Sequence, residues 1–152
     1  MSPSLSFFPK IEPSRIAFFC FGNRDRADDA FGLMVSDKLV KLYPKNVFSE
    51  ECEDISIFLV DIISKDNYDA VVFIDAINYG AKPGSVLVTA DISDYIKPLT
   101  SHSIPLPQIK ELVEIQKKEF LFIGAQAKSV EFMQEPSLEI HDAVDEVIKL
   151  LV

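Results

Sequence analysis

Ile16 to Phe21, Ala70 to Ile74 and Phe120 to Ile123 are short runs of strand length with no polar side chain. A strand with one wet face alternates apolar and polar residues. A continuous apolar run of strand length instead belongs in the middle of a sheet covered on both faces. Between these runs the apolar residues recur at helical spacing. Phe31, Met34, Val35, Leu39 and Leu42 predict a first helix, ended by Pro44. Ile55, Phe58, Leu59, Ile62 and Ile63 predict a second, with Val47 and Phe48 as a short strand between the two. A third helix is predicted over 107–117 with Ile109, Leu112 and Val113 inward, and a closing helix on Leu138, Ala143, Val144, Val147, Ile148 and Leu151. Tyr79 to Gly84 reads as a turn into an edge strand over 85–90. The order β-α-β-α-β-β-α-β-α predicts an α/β fold: a three-layer α/β/α sandwich around a five-stranded, mostly parallel sheet. The two strands joined without a helix, 70–74 and 85–90, read as a hairpin that supplies one antiparallel edge strand.

Length and charge narrow the function classes. With 152 residues the chain suffices for one domain. We assign it to 15–152, after an irregular arm over 1–14 that Pro3, Pro9 and Pro13 keep from regular structure. The net charge of -9 argues against nucleic-acid and membrane-surface partners, because like charges repel. No run is long and apolar enough to span a bilayer, and the first residues do not form a signal peptide. Cys20 and Cys52 read as two reduced thiols, so a cytoplasmic location is expected.

In an open parallel sheet, ligands bind beyond the carboxyl ends of the strands. Gly22 to Asp29 follows the first strand and Asp75 follows the third. His102 is expected at the same edge. The edge strand runs away from it, yet the next helix must start there to feed another parallel strand. The eleven residues 91–101, at about 3.3 Å each, can make the return. Two carboxylates and an imidazole on one crevice suit a first-row divalent ion with open coordination positions. The plainer readings are that Asp28 or Asp29 caps the following helix, that Asp75 forms an Asx turn, and that His102 is an ordinary loop histidine. His141, beside Glu139 and Asp142, reads as a solvated helix residue.

Four motifs in order carry a family resemblance. They are Phe21-Gly22-Asn23 with Asp28-Asp29-Ala30-Phe31-Gly32 four residues on; Val72-Phe73-Ile74-Asp75-Ala76 with Lys82-Pro83-Gly84; Thr100-Ser101-His102-Ser103-Ile104-Pro105-Leu106; and Ile123-Gly124-Ala125-Gln126 with the closing helix from Pro136. From about residue 15 onward the chain resembles the nickel–iron hydrogenase maturation endopeptidases. The resemblance implies a five-stranded sheet sandwiched by helices. It implies a metal site at Asp29, Asp75 and His102, with Gly22, Asn23 and Asp28 supporting it or contacting substrate. It implies one cut, which removes the C-terminal extension of a hydrogenase large-subunit precursor after nickel insertion, the nickel being supplied and signalled by that partner. Glu50-Glu51-Cys52-Glu53 stands where the family has an Asp-x-Gly-Thr-like loop. It is either a solvated acidic loop or a change in substrate choice. Ala127 stands where proline is common.

Three rival functions are weighed against this. A receiver-type signalling domain would use Asp75 as phosphate acceptor and Lys128 as its lysine, but it places acids at the end of the first strand and leaves His102 without a role. A non-cleaving relative would bind the immature subunit. A dinucleotide-binding protein would need a Gly-rich loop where this chain has only Gly22 and two arginines. Neither a Ser-His-Asp set nor an HExxH helix is visible, and no general base can be named.

Overall fold

The computed structural model describes residues 7–50, 56–93, 96–101 and 104–151. The elements are β1 (Ile16–Phe21), α1 (Phe31–Leu42), β2 (Val47–Glu50), α2 (Ser56–Ile63), β3 (Ala70–Asn78), β4 (Val86–Thr89), β5 (Lys97–Pro98), α3 (Leu106–Ile115), β6 (Glu119–Gln126) and α4 (Leu138–Leu151). His102, Glu51-Cys52-Glu53 and Ile55 lie outside the described residues.

The sheet runs β2-β1-β3-β6-β4, with β1, β2, β3 and β6 parallel and β4 antiparallel at the edge. This is the expected mostly parallel sheet with one antiparallel edge strand. The two-residue β5 is added antiparallel to the end of β3. The apolar runs are central because both their faces are covered. Phe18, Cys20, Val72, Ile74 and Ile123 pack under α1 and α4. Phe19, Phe21, Phe73 and Phe122 pack under α2 and α3. Alternation along each strand sends successive side chains to opposite layers, so an all-apolar run serves two cores at once. Phe73 packs against Phe19, Phe21 and Phe120 with tilted rings at centroid distances of 5.3 to 5.6 Å, within the range of favourable aromatic pairs.

Three expectations need correction. The strands over 70–78 and 86–89 do not form a hairpin: β6 lies between them. Both flanks of β3 are occupied by parallel neighbours, so the chain crosses the end of β6 before pairing. The amides of Gly84 and of Gln126 bond to Gln126 O and Ser85 O respectively to make that crossing. The return connection over 91–101, for which no strand was expected, contains one at 97–98. Phe58 and Leu138, placed inward by periodicity, are 63% and 73% exposed. α2 has only eight residues, and Leu59 and Ile63 fill its buried stripe. In α4 the inward position falls on Ile140 instead of Leu138. Among the described residues, no helix is long and apolar enough to cross a membrane.

Candidate functional site

The site forms where β1 and β3 end. The chain leaves β1 through Gly22, where a Cβ would lie 2.6 Å from the Asp29 carbonyl. Glycine therefore lets the 22–29 loop close on itself. The Asn23 amide donates to Asp29 O at 3.0 Å, and the Asn23 side-chain oxygen accepts from the Asp25 amide at 2.9 Å. Gly32, in the first turn of α1, lies against the strand ends. A Cβ there would come 2.0 Å from Phe21 O and 2.8 Å from Ile74 O. Only a bare backbone lets α1 approach the sheet this closely, and that approach brings the 27–30 turn to the end of β3.

Asp75 lies inside β3, opposite Gly124 of β6, rather than after the strand. It is fully buried. Its Oδ2 accepts three hydrogen bonds, from Thr100 N at 3.0 Å, Ser101 N at 2.7 Å and Ser101 Oγ at 2.7 Å. Its Oδ1 is buried and has no hydrogen-bond partner among the described residues. Burial pushes the Asp75 carboxyl up to about 8. The Asp29 charge adds to the rise, and the bonds from Ser101 and Thr100 oppose it. Asp75 does not shape a turn; it is an acceptor held by a loop distant in sequence.

The return of the chain to this edge is the work of β5. Ile77 pairs with Pro98, and the Leu99 amide donates to Ala76 O at 2.9 Å. Thr100 and Ser101 are thereby set over Asp75. The Thr100 hydroxyl donates to Asp29 Oδ1 at 2.9 Å while its amide serves Asp75. One residue thus joins the two predicted metal-site acids. Thr100 and Ser101 were not singled out as site residues in the sequence. Their only signal was position, just before His102.

Neither Asp28 nor Asp29 caps α1, whose N-terminus has no side-chain cap bond. Asp28 reaches across to the last loop instead. Its carboxylate accepts from Lys128 N at 2.7 Å, Ser137 N at 2.7 Å and Ser137 Oγ at 2.8 Å. Ser137 Oγ in turn accepts from Ile140 N at 3.2 Å, capping α4. Gln126 also escaped notice as an individual residue. Its side-chain oxygen accepts from the Tyr79 and Ala81 amides at 2.8 and 3.3 Å and fixes the turn after β3.

An apolar cavity of about 570 Å³ adjoins the site, with Ile96, Pro98, Ile104, Leu106 and Ser101 among its walls. Ser101 therefore lies between this cavity and Asp75. Among the described residues, no three His, Cys, Asp or Glu side chains are grouped to hold a metal. The pair Asp29 and Asp75 offers hard oxygen donors, and the lone pairs of Asp75 Oδ1 suit a divalent ion.

The family model of the HycI hydrogenase maturation proteases matches residues 55–152. The chain belongs to the hydrogenase maturation protease family. That match takes in Asp75, Thr100, Ser101 and position 102 but begins after Asp29. Solved structures extend the likeness over the N-terminal part. The hydrogenase maturation protease HycI from Thermococcus kodakarensis KOD1 is 26% identical, with 91% of this chain and 90% of that one covered and a TM-score of 0.67. HybD from Thermococcus kodakarensis is 25% identical over 91% of this chain and 99% of that one, with a TM-score of 0.68. The endopeptidase HycI from Escherichia coli, 22% identical over 88% and 86%, shares the fold at a TM-score of 0.69. No curated protein matches the chain. Membership in a protease family disfavours the receiver reading, as does the lysine that suggested it. Lys128 Nζ pairs with Glu139 at 2.9 Å on the surface, and its backbone amide rather than its ammonium serves Asp28.

Proposed function

We propose that this chain is the endopeptidase that removes the C-terminal extension of a nickel–iron hydrogenase large-subunit precursor once nickel has been inserted. In this reading Asp29, Asp75 and His102 complete the coordination of a nickel ion already held by the substrate's thiolates. The ion is substrate cargo. It draws the precursor onto the carboxyl edge and, when bound, polarises a nearby carbonyl. Docking on a fixed point converts cleavage into a positioned, effectively intramolecular event.

One observation carries the reading. Two buried aspartates from distant segments share Thr100, and one carboxylate oxygen between them has no partner among the described residues. A buried polar atom without a partner costs stability, on the order of 1–3 kcal/mol. Such a cost is tolerated where a ligand meets it.

The test is incubation of the purified protein with nickel-loaded and nickel-free precursor, read by mass spectrometry. The expected result is loss of the C-terminal segment from the nickel-loaded form alone, with cleavage by His102→Ala reduced at least about 100-fold. Equal cleavage of both forms, or full activity in His102→Ala, overturns nickel recognition. Capture of the precursor with no change of mass overturns proteolysis and favours a binding role.

A further inference from the structure

We propose that Thr100 and Ser101 are positioning residues that select which oxygen of Asp75 meets the ion and hold Asp29 beside it. The inference rests on the metal-docking reading above and adds an assignment at the level of atoms.

A carboxylate on a flexible side chain can turn either oxygen toward a ligand, or both. Here the choice is already made. Three donors converge on Oδ2 and none of the described residues donates to Oδ1. Oδ2 is saturated, so Oδ1 is the oxygen with lone pairs to give, and Asp75 binds through one atom. Two of the three donors are backbone amides, which no substitution short of proline deletes. The third, Ser101 Oγ, is a buried hydroxyl at 2.7 Å.

Thr100 does a different job. Once both acids are ionised, as binding a cation requires, the two buried carboxylates repel one another. The Thr100 hydroxyl on Asp29 Oδ1 and its amide on Asp75 Oδ2 tie both acids to one residue. The distance between them is then set before any ion arrives. Partners that orient metal ligands are worth roughly 10- to 100-fold in affinity or activity.

The experiment compares wild type with Thr100→Val, Thr100→Ser and Ser101→Ala. Valine keeps the shape and removes the hydroxyl; serine keeps the hydroxyl and removes the methyl. Three readouts are taken: melting temperature, affinity for nickel ion alone by calorimetry, and kcat and KM on nickel-loaded precursor. The expected result is a rise of at least about tenfold in KM and in the nickel Kd for Thr100→Val, with Thr100→Ser within about threefold of wild type. Ser101→Ala is expected between them. Wild-type values for a folded Thr100→Val overturn the proposal. So does a Thr100→Ser loss as large as that of Thr100→Val, since packing rather than the hydrogen bond would then be responsible. If Thr100→Val does not fold, Ser101→Ala decides, and wild-type values there overturn the proposal. Wild type that binds nickel but cuts no precursor removes the proteolytic reading, and nickel affinity alone then judges the positioning role. Wild type that does neither overturns both.

Discussion

Asp28 and Asp75 are both buried aspartates at the carboxyl edge, and each accepts three hydrogen bonds. They differ in how those bonds are shared. The donors to Asp28 are spread over both oxygens and come from Lys128 and Ser137, in the loop leading to α4. The donors to Asp75 crowd one oxygen and leave the other bare among the described residues. Asp28 is satisfied and ties two segments of backbone together. Asp75 is held firmly and left incomplete. A count of hydrogen bonds would rate them alike, whereas their distribution separates a carboxylate with donors on both oxygens from one whose second oxygen has none among the described residues.

The largest expected effect comes from breaking the satisfied member. Asp28→Ala strips acceptors from two backbone amides and from the hydroxyl that caps α4. Three charge-assisted bonds at about 1.5 kcal/mol each give a loss of about 4.5 kcal/mol. For a chain of this size that is a fall in Tm of roughly 10 °C or more. Molecules that remain folded at low temperature should keep the pair at Asp29 and Asp75 and still cut. Calorimetry with a cleavage assay at 10 °C checks both halves. A stable but inactive Asp28→Ala protein would show that Asp28 belongs to the chemistry and erase the contrast.

Asp75→Asn should act in the opposite direction. The Asp75 carboxyl titrates near 8 in the fold against an ordinary 3.8, chiefly because burial disfavours its charge. Between those values the folded state holds a proton that the unfolded state has released. The contribution of this one group to the stability of the metal-free protein is therefore greatest below about pH 4 and is lost as the pH rises toward 8. Asparagine carries no charge to bury, so the variant should lack this slope. It should match wild type near pH 4 and melt several degrees higher at pH 8, while losing cleavage. Denaturation curves at steps from pH 4 to 8 decide the matter. Parallel curves for the two proteins would mean that Asp75 is not a strained, unfinished carboxylate. Gaining stability while losing function is the mark of a site built for something other than folding.

Much of the frame was legible from local pattern. The all-apolar runs 16–21, 70–74 and 120–123 mark three buried strands, because a strand with one wet face would alternate. The four helices followed from periodicity, although the third, expected over 107–117, spans Leu106–Ile115. Less legible was anything set by long-range pairing. β4 joins β6 rather than β3, because the flanks of β3 are taken by strands that come earlier and later in sequence. The two-residue β5 carries no pattern of its own, yet it delivers Thr100 and Ser101 to Asp75. The chemistry of Asp28 was hidden for the same reason. Next to a helix start it reads as a cap, and its partners lie about a hundred residues away. Asp29 and Asp75 could be placed at one edge by topology alone, but which of their oxygens stays open depends on hydrogen bonds no sequence spacing encodes.

The smallest expected effect sharpens the comparison by showing what does not matter. Lys128→Ala removes an exposed ammonium whose visible partner is Glu139, with the two side chains 56% and 37% exposed. Solvent screens such pairs, so little stability depends on them. What Asp28 uses at this position is the backbone amide, which alanine retains at the same place. The variant should melt within about 1 °C of wild type and cut at an unchanged rate. A large loss of stability would mean that the side chain, and not the main chain, holds the loop against Asp28. A large loss of activity with intact stability would mean that the ammonium works on the substrate. The pairing with Glu139 would then be a resting arrangement that the precursor displaces, and a double substitution with Glu139→Gln would separate the two cases.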